Sequence, residues 1–125
     1  MATIELTKDT FQDAIADNDM VIIDFWAPWC GPCKSFAPIY EAVSEKNDDV
    51  VFAKINTQDE QELAASFQIR SIPTLMIIRE QIGVFSQPGM LPESELQDVI
   101  DKAKALDMEQ ARKEVAEKQA QTESS

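Results

Sequence analysis

The feature that most constrains the fold is a pair of cysteines placed directly after a strand-like run. Residues Val21–Ala27 read VIIDFWA, a nearly continuous apolar segment of the kind found in strands that are covered on both faces. WCGPC follows at Trp29–Cys33, and an apolar stripe with helical spacing comes next, at Phe36, Ile39, Tyr40 and Val43. The pattern predicts a buried strand that turns into a helix, with both cysteines at the turn.

Further strands and helices alternate around this unit. Apolar runs predict the other strands at about Thr3–Leu6, Val50–Ile55, Thr74–Ile78 and Ile82–Phe85. Helical spacing predicts helices at about Asp9–Ala16, Pro32–Lys46 and Gln58–Phe67, and from Pro92 through Leu106. The order β-α-β-α-β-α-β-β-α indicates an α/β fold whose central mixed five-stranded sheet carries helices on both faces. Ligands of such sheets bind at the carboxyl ends of the parallel strands, where Cys30 is expected.

Local signals predict how several of these elements begin and turn. Thr7 is a plausible N-cap for the first helix, and Thr57 followed by Glu60 has the spacing of a capping box for the third. Pro38 should kink the second helix, because proline cannot donate a hydrogen bond. A tight turn is expected at Arg79–Gln81.

Charge and length bound the function class. Asp and Glu number 23 against 11 Lys and Arg, giving a net charge of −12, and such a field repels nucleic acids and anionic membranes. No stretch resembles a secretory signal or a membrane span of about 18 apolar residues, so we expect a cytoplasmic protein. Residues 1–106 are predicted to form one domain, and residues 107–125, rich in Ala, Glu, Lys and Gln, a helical or partly disordered acidic tail.

The cysteine pair is open to three interpretations: a metal site, a structural staple or a redox centre. Zinc needs four ligands, and a chain with two cysteines and no histidine supplies them only as a dimer. A two-residue spacer closes a loop too small to stabilise the fold much. At a helix start the dipole favours a thiolate, which makes Cys30 the expected attacking sulfur and Cys33 the resolving one. Gly31 leaves room for a substrate chain, and Pro32 suits the first helical turn.

Two residues within strands and one before a strand are further candidates. Asp24 interrupts the apolar run, so burial should raise its pKa and let it exchange a proton with Cys33; the alternative is an outward-facing polar residue. Lys54 could face Asp24 or the solvent. Pro73 stands before a strand, where the Ile72–Pro73 bond could be cis.

Together, WCGPCK at Trp29–Lys34, DFWA at Asp24–Ala27, Pro38 and RSIPT at Arg70–Thr74 resemble the thioredoxin family over about residues 3–105. The resemblance implies a thioredoxin fold and a protein-disulfide reductase that serves cell redox homeostasis through a Cys30/Cys33 dithiol cycle. It also implies a cis Pro73, Asp24 as the buried carboxylate and Lys54 as its neighbour. The groove for the partner chain would be lined by Trp29, Gly31, Pro32, Ile72, Pro73 and Gly89.

The same resemblance implies partners and departures. The partners would be disulfide-containing proteins and a separate thioredoxin reductase, an NADPH-dependent flavoenzyme, with no cofactor or metal on this chain and a monomeric state. The family usually has an acidic residue where this chain has Asn56–Gln58, with Asp59 as a possible substitute, and a hairpin glycine where it has Glu80 and Gln81. Pro88 and Met90 flank Gly89, and Met90 adds apolar surface to the groove.

Two rival functions remain at this stage. A binding or chaperone-like subunit could use the groove and the acidic tail, with redox chemistry secondary. Within redox chemistry, a Gly-Pro spacer resembles the strongly reducing family members, and a chain without histidine lacks one means of stabilising the reduced form. The sequence therefore predicts a reductase rather than an oxidase.

Overall fold

The computed structural model of the protein describes residues 3–123. The strands are β1 (Thr3–Glu5), β2 (Met20–Trp26), β3 (Val51–Asn56), β4 (Thr74–Arg79) and β5 (Ile82–Pro88). The helices are α1 (Phe11–Asp17), α2 (Gly31–Glu45), α3 (Gln61–Ser66), α4 (Glu93–Lys104) and α5 (Met108–Glu123).

The strands form one mixed five-stranded sheet in the order β1-β3-β2-β4-β5. β1, β3 and β2 run parallel, whereas β4 is antiparallel to both β2 and β5. β2 therefore lies in the centre, with its backbone hydrogen-bonded on both sides, and its carboxyl end leads into α2. This arrangement confirms the predicted fold class.

Each face of the sheet buries its own apolar cluster. One cluster joins Ile22, Phe52 and Leu75 to Phe36 and Tyr40 of α2 and to apolar residues of α4. The cluster on the opposite face brings strand residues together with α1 and with residues around α3. The hydroxyl of Tyr40 donates to the Ala53 carbonyl at 2.7 Å and lies 3.0 Å from that of Ile22, which fixes α2 against two strands.

The first and third helices begin later than the sequence predicted. α1 starts at Phe11 after a turn in which Thr7 N–H donates to the Thr10 hydroxyl. The capping box at Thr57 and Glu60 is absent: the Thr57 hydroxyl donates to the Trp26 carbonyl, and the Glu60 carboxylate accepts from Lys8 N–H. The two errors have different causes. A local turn between Thr7 and Thr10 precedes α1, whereas contacts with Trp26 and Lys8 use the side chains that local spacing assigned to the cap of α3.

The β4–β5 hairpin turns through two residues that are not glycine. Glu80 and Gln81 have φ values of 50° and 67°, as a type I′ turn requires at both central positions. Gly83 lies within β5 opposite Ile78, and a bulge follows this pair. The turn is thus shifted away from the glycine that the family places in it.

The C-terminal segment, predicted to be a helical or partly disordered tail, forms the helix α5 over Met108–Glu123. Arg79 donates from its guanidinium to the carbonyls of Ala103, Lys104 and Leu106, which ends α4. Asp107 then accepts from Gln110 N–H at 3.1 Å and caps α5. Met108 is buried, and Arg112 pairs with Glu80 of the hairpin turn.

Candidate active site

The two cysteines form a disulfide at the junction of β2 and α2. The Cα atoms of Cys30 and Cys33 lie 5.2 Å apart, and both residues are buried, with 5% and 3% of their surface exposed. Ala27 is fully buried beside them, and Trp26 and Ile72 pack against the same cluster. The disulfide therefore packs against apolar residues, and only a small part of its surface is exposed.

The helix start places a backbone hydrogen-bond donor at the Cys30 sulfur. Cys30 is the N-cap of α2, and the backbone N–H of Cys33 points at the Cys30 Sγ at 3.2 Å. α2 continues for 15 residues, so the positive end of its dipole lies at the same sulfur. Once the disulfide is reduced, both effects stabilise a thiolate on Cys30.

A proline loop stands opposite the disulfide. The Ile72–Pro73 peptide bond is cis, and the Ile72 carbonyl oxygen lies 3.8 Å from the Cys30 Sγ. The N–H of Gly89 donates to the Pro73 carbonyl at 2.7 Å. Gly89 has a φ of 91°, a conformation that a residue with a Cβ rarely adopts. Glycine is therefore the residue suited to this position beside the proline loop.

Asp24 lies in the middle of β2 and is fully buried. It occupies the same face as Ile22, which packs against α2. Neither of its carboxylate oxygens has a hydrogen-bond partner among the described residues. Burial raises the pKa of Asp24 to about 7, although the nearby Lys54 lowers it and Glu5 raises it further. A carboxyl in this state exchanges its proton near neutral pH.

Lys54 is the register neighbour of Asp24 on β3. Its ammonium lies 4.6 Å from the centre of the Trp26 ring, a cation–π geometry. Lys54 is half-buried. The sequence left open whether this lysine faces Asp24 or the solvent, and the register places the two residues side by side.

The rim of the site is exposed and partly apolar. Trp29 is 69% exposed and Met90 is 42% exposed. Apart from the neighbouring residues and backbone of its own helix, no described atom would lie within 4 Å of a Cβ at Gly31, so another chain has room there. A pocket of about 180 Å³ beside the disulfide is lined by Trp29, Thr57, Ala64, Ile69, Arg70, Ser71 and Ile72.

Sequence reasoning missed part of this pocket. Arg70 begins the RSIPT motif but was not assigned to the groove, and the only signal for Ile69 was that it precedes this motif. Asp59, considered as a substitute for the missing acidic residue, is exposed.

Among residues 3–123, no group of three or more His, Cys, Asp or Glu side chains is placed to hold a metal ion. No helix in the described part of the chain is long and apolar enough to cross a membrane.

Comparison with known proteins identifies the family. The thioredoxin family model matches residues 2–102. A protein of Streptomyces coelicolor named "Putative thioredoxin 2" is 58% identical over 120 residues, covering 96% of this chain and 90% of its own length. The thioredoxin of Bacillus subtilis is 37% identical over 103 residues, covering 82% of this chain and 98% of its own.

The chain belongs to the thioredoxin family. Among solved structures, a mutant thioredoxin from Halobacterium salinarum NRC-1 superimposes with a TM-score of 0.78 at 32% identity, covering 84% of this chain and 93% of that one. With a disulfide between Cys30 and Cys33, the chain is a thiol–disulfide oxidoreductase of the protein-disulfide reductase type. The predictions of family, fold class and general function are confirmed. The 120-residue match to the Streptomyces protein also extends beyond Leu106 into α5.

The buried Asp24 leads to a prediction about thioredoxin stability. Its pKa is about 7 in the folded protein against an ordinary value of 3.8, so the folded state holds this proton more tightly than the unfolded state does. The raised pKa stabilises the fold below pH 4, and this stabilisation is lost as the pH rises to 7. We expect the oxidised Asp24→Asn variant to gain roughly 4 kcal/mol relative to the unsubstituted protein between pH 4 and pH 8.

Urea unfolding at a series of pH values measures this difference. Asp48→Asn is the matched control, since Asp48 is exposed in the loop after α2. A difference between Asp24→Asn and the unsubstituted protein that stays constant with pH would contradict the raised pKa.

Proposed function

We propose that this thioredoxin reduces disulfides in substrate proteins, with Cys30 as nucleophile and Cys33 as resolving cysteine. The observation that carries the proposal is the position of the Cys30 sulfur, which lies between the first turn of α2 and the Ile72 carbonyl. The helix stabilises a thiolate there, while the proline loop offers extended backbone to a partner chain.

The reaction proceeds through two exchanges. The Cys30 thiolate attacks one sulfur of the substrate disulfide, which forms a mixed disulfide and releases the other substrate sulfur as a thiolate that takes a proton. Cys33 then loses its proton and attacks the Cys30 sulfur. The Cys30–Cys33 disulfide forms, the second substrate sulfur leaves as a thiolate and is protonated, and two electrons have passed to the substrate.

Asp24 is the proposed proton acceptor for Cys33. A group with a pKa of about 7 accepts a thiol proton and returns it to solvent or to a leaving thiolate near neutral pH. Lys54 modulates this exchange, because its positive charge lowers the pKa of Asp24. Asp24 lies on the face of the sheet that packs against α2, the helix that carries Cys33.

The partner chain would bind across the exposed rim of the site. The Ile72 backbone and cis Pro73 would pair with it as an extended segment, as the resemblance to thioredoxins implies. Apolar contact would come from a surface that stays open in the structure and comprises Trp29, Gly31, Pro32, Ile72, Gly89 and Met90.

Electrons would come from a separate NADPH-dependent thioredoxin reductase, the donor that the family implies. The chain would work as a cytoplasmic monomer without a cofactor or metal of its own. The net charge of −12 supports protein partners over nucleic acids and anionic membranes.

Substitution of the resolving cysteine tests the two cysteine roles. Without the Cys33 thiol the second exchange cannot occur, so Cys33→Ser should accumulate a mixed disulfide between Cys30 and a disulfide-bonded protein such as insulin. Non-reducing electrophoresis and mass spectrometry of the adduct measure this. Cys30→Ser is the matched control and should form no adduct. An equal yield of adduct from the two variants would contradict the assignment.

A coupled assay tests the electron donor and the tail. We expect insulin reduction with thioredoxin reductase and NADPH from both the full chain and a chain that ends at Leu106, because the site lies within the first 106 residues. The shorter chain should melt at a lower temperature, since it lacks buried Met108 and the Arg112–Glu80 pair. Turnover with dithiothreitol but none with the reductase would mean that the donor is different.

A further inference from the structure

A row of three ionisable residues crosses the parallel part of the sheet. Glu5 on β1 pairs in register with Lys54 on β3, and Lys54 pairs in register with Asp24 on β2. Residues that pair in register project to the same face of a sheet. The lysine thus stands between two carboxylates on the face that packs against α2.

The two carboxylates have different surroundings. Asp24 is fully buried, and its oxygens have no hydrogen-bond partner among the described residues. Glu5 belongs to the edge strand and is exposed to solvent. The Lys54 ammonium lies over the Trp26 ring rather than in a hydrogen bond to Asp24. Lys54 therefore has a buried acid as its register neighbour on one side and a solvated acid on the other.

We propose that Glu5 is a positioning residue for the proton transfer assigned to Asp24, because both carboxylates neighbour the same Lys54 in the strand register. The inference rests on the proposed function of Asp24 and extends it. Glu5 does not touch the sulfur atoms; it acts through the charge of Lys54 and through its own field.

The causes of the raised pKa of Asp24 agree with this role for Glu5. Burial is the largest cause of the raised pKa of Asp24, Lys54 opposes it, and Glu5 adds to it. Partial burial also raises the pKa of Glu5. Removal of the Glu5 charge would therefore lower the pKa of Asp24 in two ways, by ending a repulsion and by leaving Lys54 with a single carboxylate.

The other residues that surround Asp24 add no further charge that would offset the effects of Lys54 and Glu5. On α2, burial raises the pKa of Tyr40 well above its ordinary value, so Tyr40 stays neutral. Cys33, also on α2, does not titrate while it is in the disulfide. On β4, the register neighbour of Asp24 is Leu75, which is apolar. Burial is the largest cause of the raised pKa of Glu5, which Trp26 and Lys54 lower and Asp59 raises slightly further.

The carboxyl carbon-13 shift of Asp24 in the oxidised protein measures this coupling without any cysteine titration. Two strand spacings separate Glu5 from Asp24, so Glu5→Gln should move the Asp24 midpoint down by between about 0.3 and 1 pH unit. Glu5→Asp keeps the negative charge, so its Asp24 midpoint should lie close to that of the unsubstituted protein. Glu95→Gln, an exposed residue on α4, removes the same charge elsewhere and should leave the midpoint unmoved.

A second measurement connects the coupling to the reaction. In Glu5→Gln, the pH profile of insulin reduction should move in the same direction and by the same amount as the Asp24 midpoint. An unmoved midpoint would overturn the inference and leave the Cys30/Cys33 reaction unaffected. A moved midpoint with an unmoved pH profile would overturn the role of Asp24 in proton transfer, and with it the role of Glu5.

Discussion

The site depends on one constraint of the chain path, which is that the central strand β2 runs directly into helix α2. Only Ala27–Cys30 separate the two elements, so the disulfide must lie at the carboxyl edge of the sheet and at a helix N-terminus. Parallel pairing of β2 with β3 then places Lys54 beside Asp24. Antiparallel pairing with β4, which begins at Thr74, brings Pro73 to the same edge. The cysteine pair and the Pro73 loop therefore meet at one edge of the sheet, on the strand that carries Asp24.

Asp24 breaks the rule that buried charges are paired, and the departure falls at the site of chemistry. A carboxyl with a pKa of about 7 destabilises the folded protein at neutral pH, so it is retained against a cost in stability. The same burial makes it a suitable acceptor for a thiol proton. Departures from local consistency are expected at functional sites, and the strand register places Asp24 in one row with Lys54 and Glu5.

The sequence predicted the order of the elements and the cysteine chemistry, because the apolar periodicity and the helix start are local. The prediction of the helix caps failed where a residue distant in sequence binds the capping side chain. The Thr57 hydroxyl donates to the Trp26 carbonyl instead of capping α3. The sequence predicted a helical or partly disordered tail but not its attachment to the domain, because the Arg112–Glu80 pair joins α5 to a hairpin turn far away in sequence. The relation of Glu5 to Asp24 needs the strand register, which periodicity alone does not give.

The Cys30/Cys33 dithiol of this thioredoxin is a reductant. Gly31 and Pro32 stand between the cysteines and the chain has no histidine, so the reduced form lacks one source of extra stabilisation found in oxidising relatives. Equilibration with glutathione at pH 7, followed by quantification of the oxidised and reduced protein, measures the reduction potential of the Cys30–Cys33 couple. We predict a potential near the value known for thioredoxin, about −270 mV. A potential near about −120 mV, as in strongly oxidising family members, would contradict it.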